Sequence, residues 1–376
     1  LKSFLPNDIK DENRKIIYDI LLEHPELAKV EISEKTAMSF VTVSKIVSFF
    51  EQIGLLSATG ESREGSGGLG RKRTVYRFNG NSYVSIGIQT IGEKMTALLV
   101  NLKSEIIDSY SIDKSIPFYS EAFAELVEDI VARMKNKAIE TNSTIVGLGI
   151  GVDGAINTRN KTIRMRTQGN QEEDYHYEAI LDNIRSKVDL PIILENDVNA
   201  SILSEFQKLE NDEEAPTDLI HIAVGEGVGA GIMINKKLHR GVSASAGELE
   251  YMCFDPDFQK TPSSVGWLES KLGIHSLLDR YDLGREENVA ECVEYTARHL
   301  ALVITNMISI LDINRVVVSG KTIDLFPERL LSRIRHYVEQ YTEWKPTITF
   351  SDSRHSAAIG AAILVLQQEM NTVLSA

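Results

Sequence analysis

Leu219-Ile-His-Ile-Ala-Val-Gly-Glu-Gly-Val-Gly-Ala-Gly-Ile-Met-Ile234 sets glycines at 225, 227, 229 and 231 between two apolar runs. An apolar run that enters a glycine turn and leaves as a second apolar run reads as strand, turn, strand. Such a turn lets backbone N–H groups approach a phosphate or a sugar, because no Cβ stands in the way. Downstream, Ala246-Gly-Glu-Leu-Glu-Tyr251 offers the Glu248 carboxylate, and Glu269 offers another. In a nucleotide fold the first feature takes a phosphate and the carboxylates take a polyol.

Outward from this stretch, the pattern repeats. Tyr83–Gln89, Lys94–Leu102 and Glu105–Ile112 read as three consecutive strands. A helix follows over Glu121–Ala138, apolar at Phe123, Leu126, Val127 and Ile130, then a strand over Ile145–Gly151. A helix near Glu178–Val188, a buried strand Pro191–Leu194 and a helix Asn199–Leu209 close the set. Leu219–Val224, Gly229–Ile234, further helices and Val316–Ser319 form a second, similar set. Two related α/β lobes are expected, with ligand in the cleft at the carboxyl ends of the strands. The helix carrying Arg298, His299 and apolar Leu300–Ile310 is expected in a lobe core or a subunit interface.

The first eighty residues read differently. Asn7 or Asp8 suits the cap of a helix with apolar Ile9, Ile16, Ile17, Ile20 and Leu21, ended by Pro25. A short helix Val30–Ala37, capped at Ser33, precedes a turn at Met38-Ser-Phe40 and a helix Val41–Ile53 that Gly54 stops. This is a helix-turn-helix layout: Ser39, Thr42, Ser44 and Lys45 face out, while Val43, Ile46, Val47 and Phe50 pack inward. Two β-like segments, Leu55–Thr59 and Thr74–Asn79, flank a glycine-rich basic loop ending in Arg71, Lys72 and Arg73, as in the wing of a winged helix. A small helical protein-interaction module with a flexible linker fits the helices alone; the cationic loop favours DNA.

Charge supports the division. The chain of 376 residues carries −14, but Ser39–Gly80 carries +3, which leaves −17 elsewhere. A cationic module on an acidic body argues for nucleic-acid contact by that module alone. Two cysteines, Cys253 and Cys292, imply no disulfide framework. No apolar run has the length of a membrane span and the first residues show no signal-peptide pattern, so the cytoplasm is the expected compartment and no membrane partner is expected. The chain starts at Leu1, so at least one residue is expected to precede it.

Taken in order, Gly87-Ile-Gln89, Gly149-Ile-Gly-Val-Asp-Gly154, Glu195-Asn-Asp-Val-Asn-Ala200, the glycine turn, Gly247-Glu248, Gly266-Trp-Leu-Glu269 and Val317-Val-Ser-Gly320 resemble the ROK family of repressors, open reading frames and sugar kinases. The resemblance spans nearly the whole chain, since the repressor branch carries an N-terminal winged helix. It implies an actin-like, hexokinase-like (ribonuclease H-like) α/β fold. Residues 1–80 form the winged helix-turn-helix and 81–196 a first lobe, completed by the C-terminal helix 355–376. Residues 197–354 form a second lobe with sugar-site and dimerisation elements.

The resemblance assigns sugar contacts to Asn196, Asp197, Glu248, Tyr251 and Glu269, with Gly151 and Asp153 near the pocket. Asp197 matches the kinases' general base and Tyr251 their sugar-contacting His. As bare patterns, Asp197 also suits a helix cap, and Glu248 and Glu269 also suit solvated surface acids. The phosphate side departs from the kinase pattern. Gln89 stands for Asp, Ile91 for Gly and Glu93 for Thr, and Glu226 replaces a phosphate-binding Thr. An amide is a poor Mg²⁺ ligand, and acids repel phosphate. The zinc-ligand positions hold Tyr251, Lys260, Pro262 and Trp267, so no zinc is expected, and His176, His221 and His239 are too scattered to replace it. No cofactor and no catalysis are expected. The expectation is a sugar-responsive repressor, a homodimer or homotetramer that binds operator DNA and a small sugar effector. An active sugar kinase with an accessory DNA-binding domain, or a regulator sensing a non-sugar ligand, are the alternatives.

Overall fold

The computed structural model describes residues 6–63, 73–91, 94–113, 116–166, 172–210, 215–261, 264–352 and 354–376, without the side chains of 6–8, 61–63, 91, 166 and 172. Its N-terminal module runs α1 (Pro6–Glu23), β1 (Glu26–Ala28), α2 (Lys29–Thr36), α3 (Phe40–Gln52), β2 (Leu56–Arg63) and β3 (Arg73–Phe78), with sheet order β1-β3-β2. Two caps and one helix start differ from expectation. Helix α1 starts at Pro6, so Asn7 and Asp8 lie within it, and proline at the first turn costs no hydrogen bond. Helix α2 starts before Ser33; Glu31 accepts from the Ala28 N–H at 2.6 Å, while Ser33 Oγ donates to the Met38 carbonyl. Ser39 is the cap of α3, accepting from the Thr42 N–H, so Phe40 and Val41 are helical. Val43, Ile46, Val47 and Phe50 are buried as expected, whereas Ile9 and Ile16 of α1 face solvent and Ile17, Tyr18 and Leu21 pack inward.

Next come β4 (Tyr83–Ile91), β5 (Lys94–Asn101), β6 (Ile106–Asp113), α4 (Glu121–Glu140), β7 (Thr144–Val152), β8 (Ala155–Asn157), β9 (Thr162–Arg166), β10 (Glu172–His176), α5 (Tyr177–Arg185), β11 (Ile192–Asn196) and α6 (Asp197–Leu209). Then β12 (Leu219–Val224), β13 (Val228–Ile234), β14 (Lys237–Leu238), α7 (Glu269–Leu272), α8 (Ile274–Arg280), α9 (Glu286–Leu311), β15 (Arg315–Ser319), α10 (Lys321–Asp324), α11 (Pro327–Tyr341), β16 (Thr347–Phe350) and α12 (Ser356–Ser375) complete the chain. The two five-stranded sheets share one plan. In each, three antiparallel strands are followed by two parallel ones, giving orders β11-β7-β4-β5-β6 and β14-β13-β12-β15-β16. The small antiparallel sheet β10-β9-β8 was not expected from the sequence. Leu300, Ala301, Val303, Ile304, Met307 and Ile308 of α9 lie in the core of the second lobe.

Helix α12 is long and apolar enough by composition to cross a membrane, yet here it is a core helix. Its first half is small because backbone comes close on two sides. A Cβ on Gly87 would sit 1.8 Å from the Ala358 carbonyl, one on Gly149 2.2 Å from that of Ala361, and one on Gly360 1.7 Å from that of Ala200 in α6. Its second half is large: Leu366, Met370 and Leu374 join the core of the N-terminal module. Buried Arg14 of α1 donates to the Leu374 carbonyl at 2.6 Å and stacks on Phe49, with its guanidinium 3.5 Å from the ring centroid. One helix therefore touches the first sheet, α6 and the N-terminal module.

Gly360→Ala is expected to force α12 and α6 apart, at a cost of about 1–3 kcal/mol. Urea unfolding of the full chain checks this, and an unchanged midpoint would refute the close approach.

Candidate functional site

Asp197 opens α6 at the end of β11, and the helix starts two residues earlier than the sequence pattern indicates. Asn196, not Asp197, is the cap: its Oδ1 accepts from the Val198 and Asn199 N–H groups, and its Nδ2 donates to the Gly154 carbonyl at 3.0 Å. Capping therefore does not explain an acid at 197. The Asp197 carboxylate accepts from the Val198 N–H at 2.8 Å and from its own backbone N–H. Burial, then the charges of Asp153 and Glu248, push its pKa up to about 8. These three carboxylates therefore share one electrostatic site, drawn from the β7–β8 turn, the start of α6 and the loop after β14.

Glycines shape the surrounding walls. Gly247 has φ +94°, and a Cβ there would lie 1.8 Å from the Ala230 carbonyl, so β13 fixes where Glu248 projects. Ala230 N–H donates to the Gly247 carbonyl at 2.8 Å, and a Cβ on Gly229 would meet Val198 at 3.3 Å. Buried Glu269 reaches the glycine turn, its Oε2 lying 3.7 Å from where a Gly227 Cβ would be. Tyr251 is 40% exposed and hydrogen-bonds Arg164 of β9, which also pairs with Asp174 at 3.2 Å. Gly151 pairs with Gln89 and Glu195 in the sheet, and the space where its Cβ would go faces Ala357 of α12. A Cβ there would stand 3.4 Å from that of Ala357, an ordinary contact, so the packing of α12 does not itself demand a glycine at 151.

Sequence reasoning missed two cations here, Arg164 and Arg240. Arg240 Nε donates to buried Glu195 at 2.7 Å, joining the end of β11 to the loop beyond β14. Arg240 and Glu195 lie 45 residues apart, and Arg164 faces Asp174 across a strand pair that the sequence did not announce.

The phosphate side is filled by the chain itself. Buried Gln89 donates through Nε2 to the Arg354 carbonyl at 2.7 Å and accepts through Oε1 from the Ala358 N–H at 2.8 Å. Both ends of the amide hold the start of α12. Glu226 receives a hydrogen bond from Lys321 Nζ at 2.5 Å, across the mouth of the glycine turn. The like charge expected to face phosphate is thus already paired with an internal ammonium. Glu93 lies outside the described residues, as does the side chain of Ile91. These groups do not fit a metal-bound nucleotide: the carboxylate position is a committed amide, and the turn is occupied by an ion pair.

Zinc does not fit either. Tyr251 stands with the Lys260 ammonium 5.9 Å from its ring centroid, and an ammonium repels a cation. Pro262 lies outside the described residues. Phe254 packs edge-on against buried Trp267 at 5.5 Å, and Phe258 rests on the core of the second lobe. Cys253 donates to the Asp255 carbonyl. Among the described residues no three His, Cys, Asp or Glu side chains are placed to hold a metal ion. His176 and His239 are exposed; His221 is buried against Ser319 Oγ at 2.7 Å, and burial pushes its pKa down to about 4.

In the N-terminal module Ser39 and Lys45 are exposed, and Thr42, Ser44 and Arg73 are half-buried. Arg71 and Lys72 lie outside the described residues.

The sequence model of the ROK family matches residues 85–266 and 268–368. The chain belongs to the ROK family. That match begins beyond β3, leaving the winged helix in front of it. The chain is similar to the xylose repressor of Caldicellulosiruptor bescii, 24% identical over 364 residues and 88% of each chain. It is also similar to the xylose repressor of Bacillus spizizenii, 22% identical over 390 residues and 97% of each. A ROK family transcriptional regulator homologous to the E. coli MLC protein superposes with a TM-score of 0.77 at 17% identity, covering 97% of this chain and 98% of its own. A ROK glucokinase from Streptomyces griseus, in complex with glucose and AMPPNP, gives 0.60 at 23% identity, covering 76% of this chain and 99% of its own. The fold is thus that of ROK regulators and, for the body, of ROK kinases.

The raised Asp197 pKa gives a pH signature. The folded chain keeps a proton that the unfolded chain releases, so this contribution to stability is complete below the ordinary 3.8 and is lost as pH rises through about 8. His221 works the other way: its contribution is present above 6.5 and lost as pH falls towards about 4. Of the two, only Asp197 acts between pH 6.5 and 8. Asp197→Asn is expected to flatten the fall in stability over that interval and to stabilise the ligand-free chain at pH 8 by on the order of 1 kcal/mol. Urea unfolding across pH measures both, and an unchanged slope would count against the carboxylate cluster.

Proposed function

We propose that this ROK family chain is a sugar-responsive transcriptional repressor without kinase activity. Its winged helix binds operator DNA, and the cleft that holds Asp197 binds a neutral sugar. The observation that carries this reading is α12, which packs against the cleft's elements at one end and the winged-helix core at the other.

Cleft chemistry favours a neutral polyol over a sugar phosphate or sugar acid. Asp153 and Glu248 repel an anion, while sugar hydroxyls donate to their carboxylates and can exchange hydrogen bonds with the protonated Asp197 carboxyl. Asn196, Glu269 and Tyr251 are the further contacts we assign. Gln89 and the Glu226–Lys321 pair support the loss of phosphoryl transfer, which depends on a metal and on charge neutralisation that these residues do not supply. The xylose repressors are proteins of the same family, and the proposal gives this chain their kind of role. A homodimer or homotetramer would present two winged helices to paired half-sites, in the cytoplasm where the operator is.

The test uses the full chain and the DNA upstream of its own gene. Fluorescence anisotropy is expected to show binding that weakens steeply with salt. One neutral pentose or hexose of a panel is expected to raise the melting temperature and to weaken DNA binding by about 5- to 150-fold. Asp197→Asn should abolish both sugar effects and leave DNA binding intact. Absence of salt-sensitive binding would sink the operator reading. Sugar-dependent ADP release that requires Asp197 would replace it with a kinase.

A further inference from the structure

The outward face of α3 is not the polar one that its sequence promises. Ser39 and Thr42 spend their hydroxyls locally: Ser39 Oγ accepts from the Thr42 N–H at 3.2 Å and lies 2.9 Å from Thr42 Oγ1. Ser44 is half-buried. What projects from the first turn is Phe40, 53% exposed, and Val41, 64% exposed. Lys45 and Ser48, both exposed, continue the row from Val41 at i+4 and i+7. Burial of Val43, Ile46, Val47 and Phe50 fixes the rotation of the helix, so the two apolar side chains are held outward.

An apolar pair at a helix start, beside a lysine and on a segment of charge +3, fits a partner with an anionic rim and small apolar knobs on its floor. The major groove of duplex DNA has both, phosphates at its edges and thymine 5-methyl groups as the apolar feature of its floor. The same face of a second copy is a worse match, since it would set Lys45 against Lys45.

We propose that Phe40 and Val41 read thymine methyl groups in the operator half-site, so that thymines at those steps are specificity determinants. Lys45 anchors the neighbouring backbone phosphate. This rests on the operator reading above, and it names what the first turn of the recognition helix recognises.

Replacing thymine by deoxyuridine removes the methyl group and nothing else. Duplexes that the full chain selects from a random library are resynthesised with single deoxyuridines. At one or two steps in each half-site, wild-type Kd is expected to rise about fourfold per methyl removed, the value of one buried methyl-sized group. Val41→Ala is expected to bind more weakly than wild type and to become indifferent to deoxyuridine at one of those steps, and Phe40→Ala at another. Both side chains are exposed, so these variants should melt as wild type does. If no duplex is bound in a salt-sensitive way, the operator reading falls and takes this proposal with it. If duplexes are bound but deoxyuridine is neutral throughout, or both variants stay as sensitive as wild type, only the thymine reading is overturned.

Discussion

Everything in this molecule depends on how closely α12 can lie. Gly87, Gly149 and Gly360 let its backbone come against the first sheet and α6 at separations where any side chain would collide. Contacts that close cannot slide by small amounts, because packed interfaces offer discrete arrangements and resist continuous deformation. The far half of the helix then changes character. Leu366, Met370 and Leu374 enter the N-terminal module, and Arg14 donates to the Leu374 carbonyl near the end of the helix. A shift of α6 relative to the first sheet therefore has a stiff route to the winged helix.

The same helix fixes the side chain at the position where the kinase pattern has a carboxylate. At the kinase carboxylate position Gln89 hydrogen-bonds both the approach to α12 and its first turn. A carboxylate there would accept from the Ala358 N–H but offer nothing to the Arg354 carbonyl. The amide at 89 is thus a helix anchor that a carboxylate could replace only in part. Glu226 and Lys321 form an ion pair across the glycine turn. Such a half-exposed pair adds little stability. Its effect is to occupy and neutralise.

What the sequence made legible, and what it hid, divides along the same line. Glycine spacing and apolar alternation announced both lobes, because strand pairing and close backbone approach are written into local pattern. Side-chain pairings between distant residues, Gln89 with Arg354, Glu195 with Arg240, Glu226 with Lys321 and Arg14 with Leu374, exist only once the chain is folded. Caps were misread by a residue or two, since Asn196 and Asp197 are both good caps and only geometry chooses between them. The sheet β10-β9-β8 escaped notice because its strands are short and charged, as in Glu172–His176. Phe40 ends a turn in the sequence pattern, and only the cap at Ser39 brings it into the helix, where it adds to an apolar outer face.

The carboxylate site adds a mechanical element to this frame. Asp197 and Asp153 follow strands of the first lobe, whereas Glu248 belongs to the second. Burial and the two neighbouring carboxylates penalise the charged form of Asp197, which therefore holds its proton to about pH 8. On the proposed reading, a polyol whose hydroxyls hydrogen-bond these groups would stabilise an arrangement that is otherwise unfavourable. Such a ligand would act on the winged helix only through unequal affinity for two arrangements of the chain, since only differential affinity can shift a two-state equilibrium. Because α6 begins at that same aspartate and packs along α12, relief at the carboxylates and the placement of the winged helix draw on one set of contacts.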